Sequence, residues 1–278
     1  MNDAMSDDRY IVPALQRGLD LLGQFSRDTP ELSGAELSRK LDLPRASVFR
    51  MLHTLEKSGF VERVGDSTQY KLSLGVLRLG FEYLASMELT EHGRPIIEAL
   101  RDATGYSAFI VVRDQREVVF VAKATGRSTQ FHAIQVGARL PAHATVLGRQ
   151  LLSRMTMAEL SQLYPELVLK SFTPKTPKTV MQLKKQLEVD RLNGYGISQG
   201  GYETGISTIA APVFNDRLEV VAAVSITVPA QMLDNNITDL LVPQVRDAAQ
   251  QLTERISHLP QSRAKLHTLP LNQQKIAA

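Results

Sequence analysis

The side chains best suited to bind a partner molecule are cationic and polar residues gathered in the segment Leu43–Gly59. Apolar residues recur there at the i, i+3, i+4 and i+7 spacing of one helix face: Val48, Met51, Leu52 and Leu55. The opposite face carries Arg45, Ser47, Arg50, His53 and Lys57. Pro44 suits the first turn of this helix, and Gly59 suits a left-handed stop. Such a helix, with small side chains near its start, fits the DNA major groove, although many cationic faces are simply solvated.

The segments on either side would hold this helix in a winged helix-turn-helix. Ser33 and Glu36 have capping-box spacing at the start of a short helix that runs through Leu41, and a tight turn follows. Beyond the central helix, Phe60–Val64 and Gln69–Leu72 alternate like the two strands of a hairpin, which would form the wing. The predicted DNA contacts are Ser33, Arg45, Ala46, Ser47, Phe49, Arg50, His53, Lys57, Arg63 and Lys71.

Positive charge is confined to this part of the chain. Residues 39–57 hold five basic and two acidic side chains, whereas residues 79–260 hold 18 of each. The net charge of the whole chain is only +3. This distribution is expected if one small module contacts phosphate and the remainder has another role.

The remainder of the chain mixes strand-like and helical patterns. Strands are predicted at Ser107–Val112, Glu117–Lys123, Gln130–Val136, Ile206–Phe214 and Leu218–Val228. Helices are predicted from Val12 to near Ser26 and over Leu74–Leu89, Pro95–Ala103, Ala144–Met155, Lys178–Asn193 and Asn236–Ser257. Hairpins separated by helices are typical of an α+β fold with an antiparallel sheet.

Hydroxyl groups and a helix start predict an anion pocket in this second part. Thr208, Ser225 and Thr227 lie on the second hairpin, and the alternate positions Ser225 and Thr227 share one sheet face. The segment Pro141–Thr145 leads into a helix whose first backbone N–H groups would face a negative ligand. His143 or Arg139 would supply a counter-charge. Strand hydroxyls also bond commonly to neighbouring backbone, which is the plainer interpretation.

Composition and spacing restrict the classes of function. The chain of 278 residues has no cysteine, which excludes disulfides and thiolate metal sites. Its six histidines show no His-x-x-x-His spacing, and there is no Gly-x-Ser-x-Gly motif or framed phosphate loop. No apolar run approaches the ~20 residues of a membrane span, and the acidic start lacks a signal-peptide core. We therefore predict no catalytic residues, no metal, no cofactor and a cytoplasmic location.

Three blocks, in order, resemble the isocitrate-lyase-regulator (IclR) family of bacterial transcription factors. The first joins Ala14–Leu22 to the helix-turn-helix at Leu43–Gly59. The second is Arg139–Arg149, and the third joins Gly205–Phe214 to Val221–Thr227. The Arg-Leu-Pro-Ala-x-Ala-Thr form within the second block is similar to the branch of the family that senses aromatic acids of the protocatechuate and β-ketoadipate pathways.

The resemblance implies two domains. A winged helix-turn-helix would occupy residues 10–73 and a GAF-like effector-binding domain residues 92–259, with a linker helix at residues 74–91, a flexible arm at residues 1–9 and a flexible tail at residues 260–278. It also implies operator DNA, a small organic or aromatic acid as effector, homodimers through the first domain, and often homotetramers through the second. The effector would bias the spacing of the two winged helices. The predicted effector contacts are Ala142, His143, Ala144, Ser198, Thr208, Ser225 and Thr227.

Two departures from the family pattern and two other functions stay open at this point. The segment Ser198–Gly201 lacks the acidic residues common there in the family, leaving Glu203 nearby, and Gly148-Arg149-Gln150 replaces the usual Gly-Lys-Ala. Both departures predict a ligand other than the simplest keto acids. The alternatives are a DNA-binding protein whose second domain only oligomerises, and an enzyme acting on a small organic acid. No activated nucleophile or acid–base pair in the sequence favours the enzyme.

Overall fold

The structure, a computed structural model, describes residues 11–26, 28–85, 88–126 and 134–257. The chain divides into two compact units, residues 1–86 and residues 87–278, and each is described by itself. The predicted arm at residues 1–9 and tail at residues 260–278 lie outside the described residues.

The first unit has the predicted winged helix-turn-helix. Its elements are α1 (Pro13–Leu22), β1 (Glu31–Ser33), α2 (Gly34–Leu41), α3 (Arg45–Lys57), β2 (Val61–Arg63), β3 (Gln69–Leu72) and α4 (Leu74–Ala85). The antiparallel sheet has the order β1-β3-β2. The core consists of Leu21, Phe25, Leu32, Leu37, Val48, Leu52, Val61 and Tyr70. Because α3 contributes Val48 and Leu52 to this core, its cationic face is left outside.

Two local signals act as the sequence predicts. Ser33 caps α2 and forms a capping box: its backbone N–H donates to Glu36 Oε2 at 2.8 Å, and its hydroxyl accepts from the Glu36 N–H at 3.3 Å. Gly59 ends α3 with a φ of +75°. The Phe60 N–H then donates to the Leu55 carbonyl at 2.9 Å, so this carbonyl group in the last turn of α3 has a hydrogen-bond partner. Pro44 lies one position before α3 rather than inside its first turn.

The second unit is a six-stranded antiparallel sheet between two helical layers. Its elements are α5 (Glu88–Thr104), β4 (Ser107–Asp114), β5 (Glu117–Ala124), β6 (Arg139–Pro141), a 3₁₀ turn (Ala142–Ala144), α6 (Val146–Leu152), α7 (Met157–Leu163), α8 (Val180–Asn193), β7 (Gly196–Gln199), β8 (Ile206–Phe214), β9 (Val220–Pro229) and α9 (Asn235–Ser257). The strand order is β6-β5-β4-β9-β8-β7. Helices α5 and α9 pack on the sheet and on each other, while α6 packs on the sheet and on α8. Strands β4 and β9 lie in the middle and are apolar on both faces, as a sheet covered on both sides requires.

Several predicted elements differ from the structure. Within the strand predicted at Gln130–Val136, residues 130–133 lie outside the description, and Ile134–Val136 are not a strand. The Gly137 N–H donates to the Phe120 carbonyl in a turn there, and the edge strand comes later as β6. The single helix predicted over Leu74–Leu89 corresponds to α4 and the first residues of α5, and residues 86–87 between them lie outside the described residues. The elements β1, α7 and β7 were not predicted, since each spans only three to seven residues.

Candidate functional site

The outer face of α3 carries the side chains predicted to contact DNA. Arg45, Ala46, Phe49, Arg50, His53 and Lys57 are exposed, and Ser47 is half-buried. Phe49 is 59% exposed although it is a large apolar side chain, and its ring stacks on that of His53 with centroids 6.5 Å apart. Among the described residues, Arg45 and Arg50 have no carboxylate partner. These guanidinium groups are therefore free to bind phosphate or base edges.

The remaining predicted DNA contacts are already engaged within the first unit. Arg63 pairs with Glu56 at 3.3 Å, and its guanidinium lies 5.2 Å from the centroid of the Tyr70 ring. Lys71 pairs with Glu62 at 3.1 Å. Exposed pairs of this kind are weak, so a phosphate group competes with them at little cost. The Ser33 hydroxyl belongs to the capping box and is less available.

In the second unit, three predicted effector contacts form one row across the sheet. Ser198 on β7 pairs with Thr208 on β8, and Thr208 pairs with Thr227 on β9. Directly paired residues project to the same side of a sheet, with Cβ atoms about 4.5–5.5 Å apart. Ser107 on β4 continues the row, but its hydroxyl already accepts the Gly126 N–H at 2.9 Å. The strand register therefore places three hydroxyl groups side by side.

These hydroxyl groups line a cavity of about 100 Å³. Its other walls are Phe120, Ile134, Leu140, Thr145, Val146, Leu147, Gly201, Tyr202, Glu203 and Ile206. This volume is small beside the roughly 300–1,000 Å³ of drug-sized sites, which favours a compact ligand. Sequence reasoning missed the aromatic and apolar walls, because they come from separated segments that carry no common motif. Glu203, already noted as the one acidic residue near Ser198, lies in this wall.

The cavity lacks the cation expected from the sequence, as far as the described residues show. The His143 ring lies elsewhere: its Nε2 bonds to the Lys170 carbonyl at 2.8 Å, and it packs between Tyr164 and Phe172. Burial lowers the pKa of His143, so its ring stays neutral near pH 7. Arg139 is paired with Asp114 and Glu117.

The other predicted effector contacts are buried but do not line the cavity. Ala142 and Ala144 belong to the 3₁₀ turn before α6. Ser225 faces Ala210 and Phe109 on the neighbouring strands, and its hydroxyl is fully buried with no hydrogen-bond partner among the residues that the structure describes. Two residues of separation along β9 thus take Ser225 to the same sheet face as Thr227 but beyond the cavity.

The start of α6 is built around a glycine and a threonine cap. Thr145 accepts the Gly148 N–H at 3.1 Å, so this helix start is already capped by the protein. A Cβ atom at Gly148 would lie 2.0 Å from the Ala142 carbonyl oxygen, so only glycine permits this close approach of backbone. Because α6 is short and its start is already capped, the hydroxyl row is better placed than the start of α6 to bind a negative ligand.

A buried ion pair anchors the strand that carries Ser198. Arg149 Nε donates to Asp190 Oδ2 at 2.7 Å, and Arg149 Nη2 donates to the Ile197 carbonyl at 2.8 Å. Gln150 Nε2 donates to the same carboxylate at 3.2 Å. Burial raises the pKa of Asp190, while Arg149 opposes this shift. The pair joins α6, α8 and β7, and thereby fixes the backbone next to the hydroxyl row.

Two absences apply to the part of the chain that the structure describes. No group of three or more His, Asp and Glu side chains is placed to hold a metal ion. Within the same ranges, no helix combines the length and the apolar character needed to cross a bilayer.

Comparisons with known proteins match both units. Residues 14–65 match the model of the IclR helix-turn-helix domain, and residues 81–254 match that of the bacterial transcriptional regulator IclR C-terminal domain. The HTH-type transcriptional repressor AllR of Klebsiella pneumoniae is 30% identical over 252 residues, which cover 90% of this chain and 92% of that protein.

Solved structures show the same fold. A transcriptional regulator from Rhodococcus sp. RHA1 has a TM-score of 0.79 and 29% identity, covering 89% of this chain and 99% of its own. An IclR homologue from Microbacterium hydrocarbonoxydans, solved in complex with 4-hydroxybenzoate, has a TM-score of 0.77 and 21% identity, covering 87% and 98%. The winged helix-turn-helix, the antiparallel sheet unit and the two family matches agree. The chain belongs to the IclR family of bacterial transcriptional regulators.

Proposed function

We propose that this regulator binds a near-palindromic operator as a homodimer and that a compact organic or aromatic acid changes its affinity for that operator. The observation that carries the DNA-binding part is the outer face of α3, where Arg45 and Arg50 have no carboxylate partner within the described ranges. Arg45, Ser47, Phe49 and Arg50 would face base edges or thymine methyl groups, and His53 and Lys57 would lie nearer phosphate. Because its target is operator DNA, we place its action in the bacterial cytoplasm.

An exposed apolar surface in the first unit supports the homodimer. Ile11, Val12, Leu15 and Leu19 of the α1 region are 40–62% exposed, and Leu15 and Leu19 lie one helical turn apart. A contiguous apolar surface of this kind commonly marks a protein contact. A two-fold dimer would place two α3 helices in successive major grooves about 34 Å apart. A mass measurement in solution distinguishes the dimer from a tetramer.

The hydroxyl row supports the acid. Ser198, Thr208 and Thr227 can each donate a hydrogen bond to a carboxylate, and the apolar walls would contact a small hydrocarbon or aromatic body. The Microbacterium neighbour was solved with an aromatic acid, which makes hydroxybenzoates a natural part of the first ligand panel. The coupling between effector and operator is typically ~1–3 kcal/mol in such proteins, a several-fold or larger change in occupancy.

The DNA-binding part is tested with Arg50→Ala on an operator selected from random duplexes. We expect weaker binding and a decrease of about one in the slope of log affinity against log salt. Arg78→Ala removes an exposed arginine of α4 in the same unit and serves as the matched control. An unchanged affinity and slope for Arg50→Ala would show that α3 is not the recognition helix.

The effector part is tested by calorimetry of the full-length protein against keto acids and hydroxybenzoates. Thr227→Val removes one hydroxyl of the row and should weaken the binding of an acid about tenfold to a hundredfold, as loss of a charge-assisted hydrogen bond does. Thr204→Val alters an exposed threonine outside the cavity and should leave affinity unchanged. If no acid binds, the second unit serves oligomerisation alone.

A further inference from the structure

A second concave site lies in the second unit, apart from the hydroxyl-lined cavity. It is a cleft of about 530 Å³ between the end of α6, the end of α8, β8 and α9. It shares no lining residue with the cavity. Three arginines reach it from three different elements: Arg154 follows α6, Arg191 lies in the last turn of α8, and Arg246 lies on α9.

The three arginines line the cleft and have no carboxylate partner among the described residues. In the described ranges, Arg154, Arg191 and Arg246 form no ion pair, whereas Arg116 and Arg149 of the same unit do. The Arg154 guanidinium lies 4.9 Å from the centroid of the Phe214 ring. The Arg246 guanidinium reaches the end of α8, where a Cβ atom at Gly194 would lie 3.7 Å from Nη2.

The acidic groups of the cleft offset only one of these three arginines. Asp190 is directed to Arg149 and Gln150, at 2.7 and 3.2 Å. Asp247 accepts a hydrogen bond from the neutral Gln251 at 2.7 Å and keeps its negative charge. The C-terminal end of α8 attracts nearby arginines through its dipole, but that end is equivalent to only about half a charge. The cleft therefore keeps a positive excess in a concave site, where opposite charge is concentrated.

We propose that this cleft binds a small organic anion carrying two or more anionic groups, carboxylates or phosphates. Planar guanidinium groups bind paired oxygens in a bidentate manner, and three of them suit a ligand with several such groups. A volume of about 530 Å³ lies in the range of small-molecule sites, which favours a metabolite over an acidic protein segment. Pro212 and Phe214 supply apolar contact for the ligand's carbon atoms. The site does not depend on the function proposed above.

Calorimetry of the full-length protein at constant ionic strength, with citrate and pyrophosphate as probes, tests this proposal. We expect at least one probe to bind, and its affinity to fall about tenfold or more in Arg154→Ala and in Arg246→Ala. Arg255→Ala is the matched control, because Arg255 is an exposed arginine of the same helix that does not line the cleft. The three variants alter exposed side chains, and retained circular dichroism shows that each is folded.

The proposal is wrong if neither probe binds the wild-type protein. It is also wrong if Arg255→Ala weakens probe binding as much as Arg154→Ala and Arg246→Ala do. Binding of a glutamate-rich peptide without binding of either probe would assign the cleft to a protein partner. A change of oligomeric state in the cleft variants, with probe affinity unchanged, would assign the arginines to a contact between copies. Thr227→Val should leave the binding of citrate and pyrophosphate unchanged. The proposal for the hydroxyl-lined cavity can therefore fail without the proposal for the arginine cleft failing, and the two results can be told apart.

Discussion

Removing the charge of Asp190 should destabilise the second unit far more than loss of a surface ion pair. The Arg149 and Asp190 side chains are only 11% and 8% exposed, and their bond is 2.7 Å long. In Asp190→Asn the arginine stays charged, because guanidinium groups do not lose their proton in proteins. The variant thus leaves a buried charge without its counter-ion, and breaking such a pair costs about 3–5 kcal/mol.

We expect a cost of about 3 kcal/mol, the lower end of that range, because burial already disfavours the carboxylate of Asp190 and the asparagine oxygen still accepts one hydrogen bond. For a unit of this size the cost corresponds to a decrease in Tm of about 6–12 °C. Scanning calorimetry of the full-length protein is the suitable assay, since two units can unfold in separate transitions. Replacing both partners with apolar residues, in Arg149→Met with Asp190→Leu, should cost much less than Asp190→Asn alone.

The pH dependence of the two single variants separates the charge effect from lost packing. In Arg149→Met the carboxyl of Asp190 loses its counter-ion, so its pKa, already raised by burial, rises further. The folded state then binds a proton that the unfolded state does not, and stability increases as the pH falls through the raised pKa. The cost of Arg149→Met should therefore shrink on acidification, whereas the cost of Asp190→Asn should not. A cost below about 1 kcal/mol for Asp190→Asn, or parallel pH profiles, would refute the reasoning.

Three further predictions concern other features. Ser33→Ala removes the α2 cap and should lower the free energy of unfolding of the first unit by about 0.5–2 kcal/mol in thermal denaturation, while Ser33→Asp should keep most of it. Gly148→Ala forces a Cβ atom against the Ala142 carbonyl, so it should lower the free energy of unfolding of the second unit by at least about 1–3 kcal/mol. It should also weaken acid binding in calorimetry, and an unchanged Tm would contradict this close packing. Because burial lowers the pKa of His143, the unfolded chain takes up a proton first, so stability should decline as the pH falls below about 6.5. His143→Phe should flatten that decline, and an equally steep profile would contradict the assignment.

The sequence predicted the first unit well because the residues that define its helix ends act on backbone only a few positions away. Ser33 and Gly59 each set a helix end through backbone geometry within a few residues, and the structure confirms both. The cavity was predictable only in part. Alternation along β9 places Ser225 and Thr227 on one face, yet the register with β7 and β8 decides that only Thr227 reaches the cavity. The position of His143 depends on the Lys170 carbonyl, a contact distant in sequence that no local pattern encodes.

The departure at Gly148-Arg149-Gln150 has a different consequence from the one that the sequence suggested. Compared with the IclR-type pattern, this departure predicted a changed ligand. Neither Arg149 nor Gln150 lines the cavity, however. Both side chains bind Asp190 on α8, and Arg149 also holds the carbonyl that precedes Ser198. An arginine can make these two contacts at once because its planar fork presents donors in fixed directions, which a lysine ammonium does not. The departure therefore acts on how β7 is anchored, whereas in the proposed function the cavity walls choose the ligand. It follows that Arg149→Lys should loosen β7 and weaken the binding of every acid that fits the cavity by a similar factor. Ile206→Ala, a change in the apolar wall of the cavity, should instead change the ranking among acids, and calorimetry on one panel would separate the two effects.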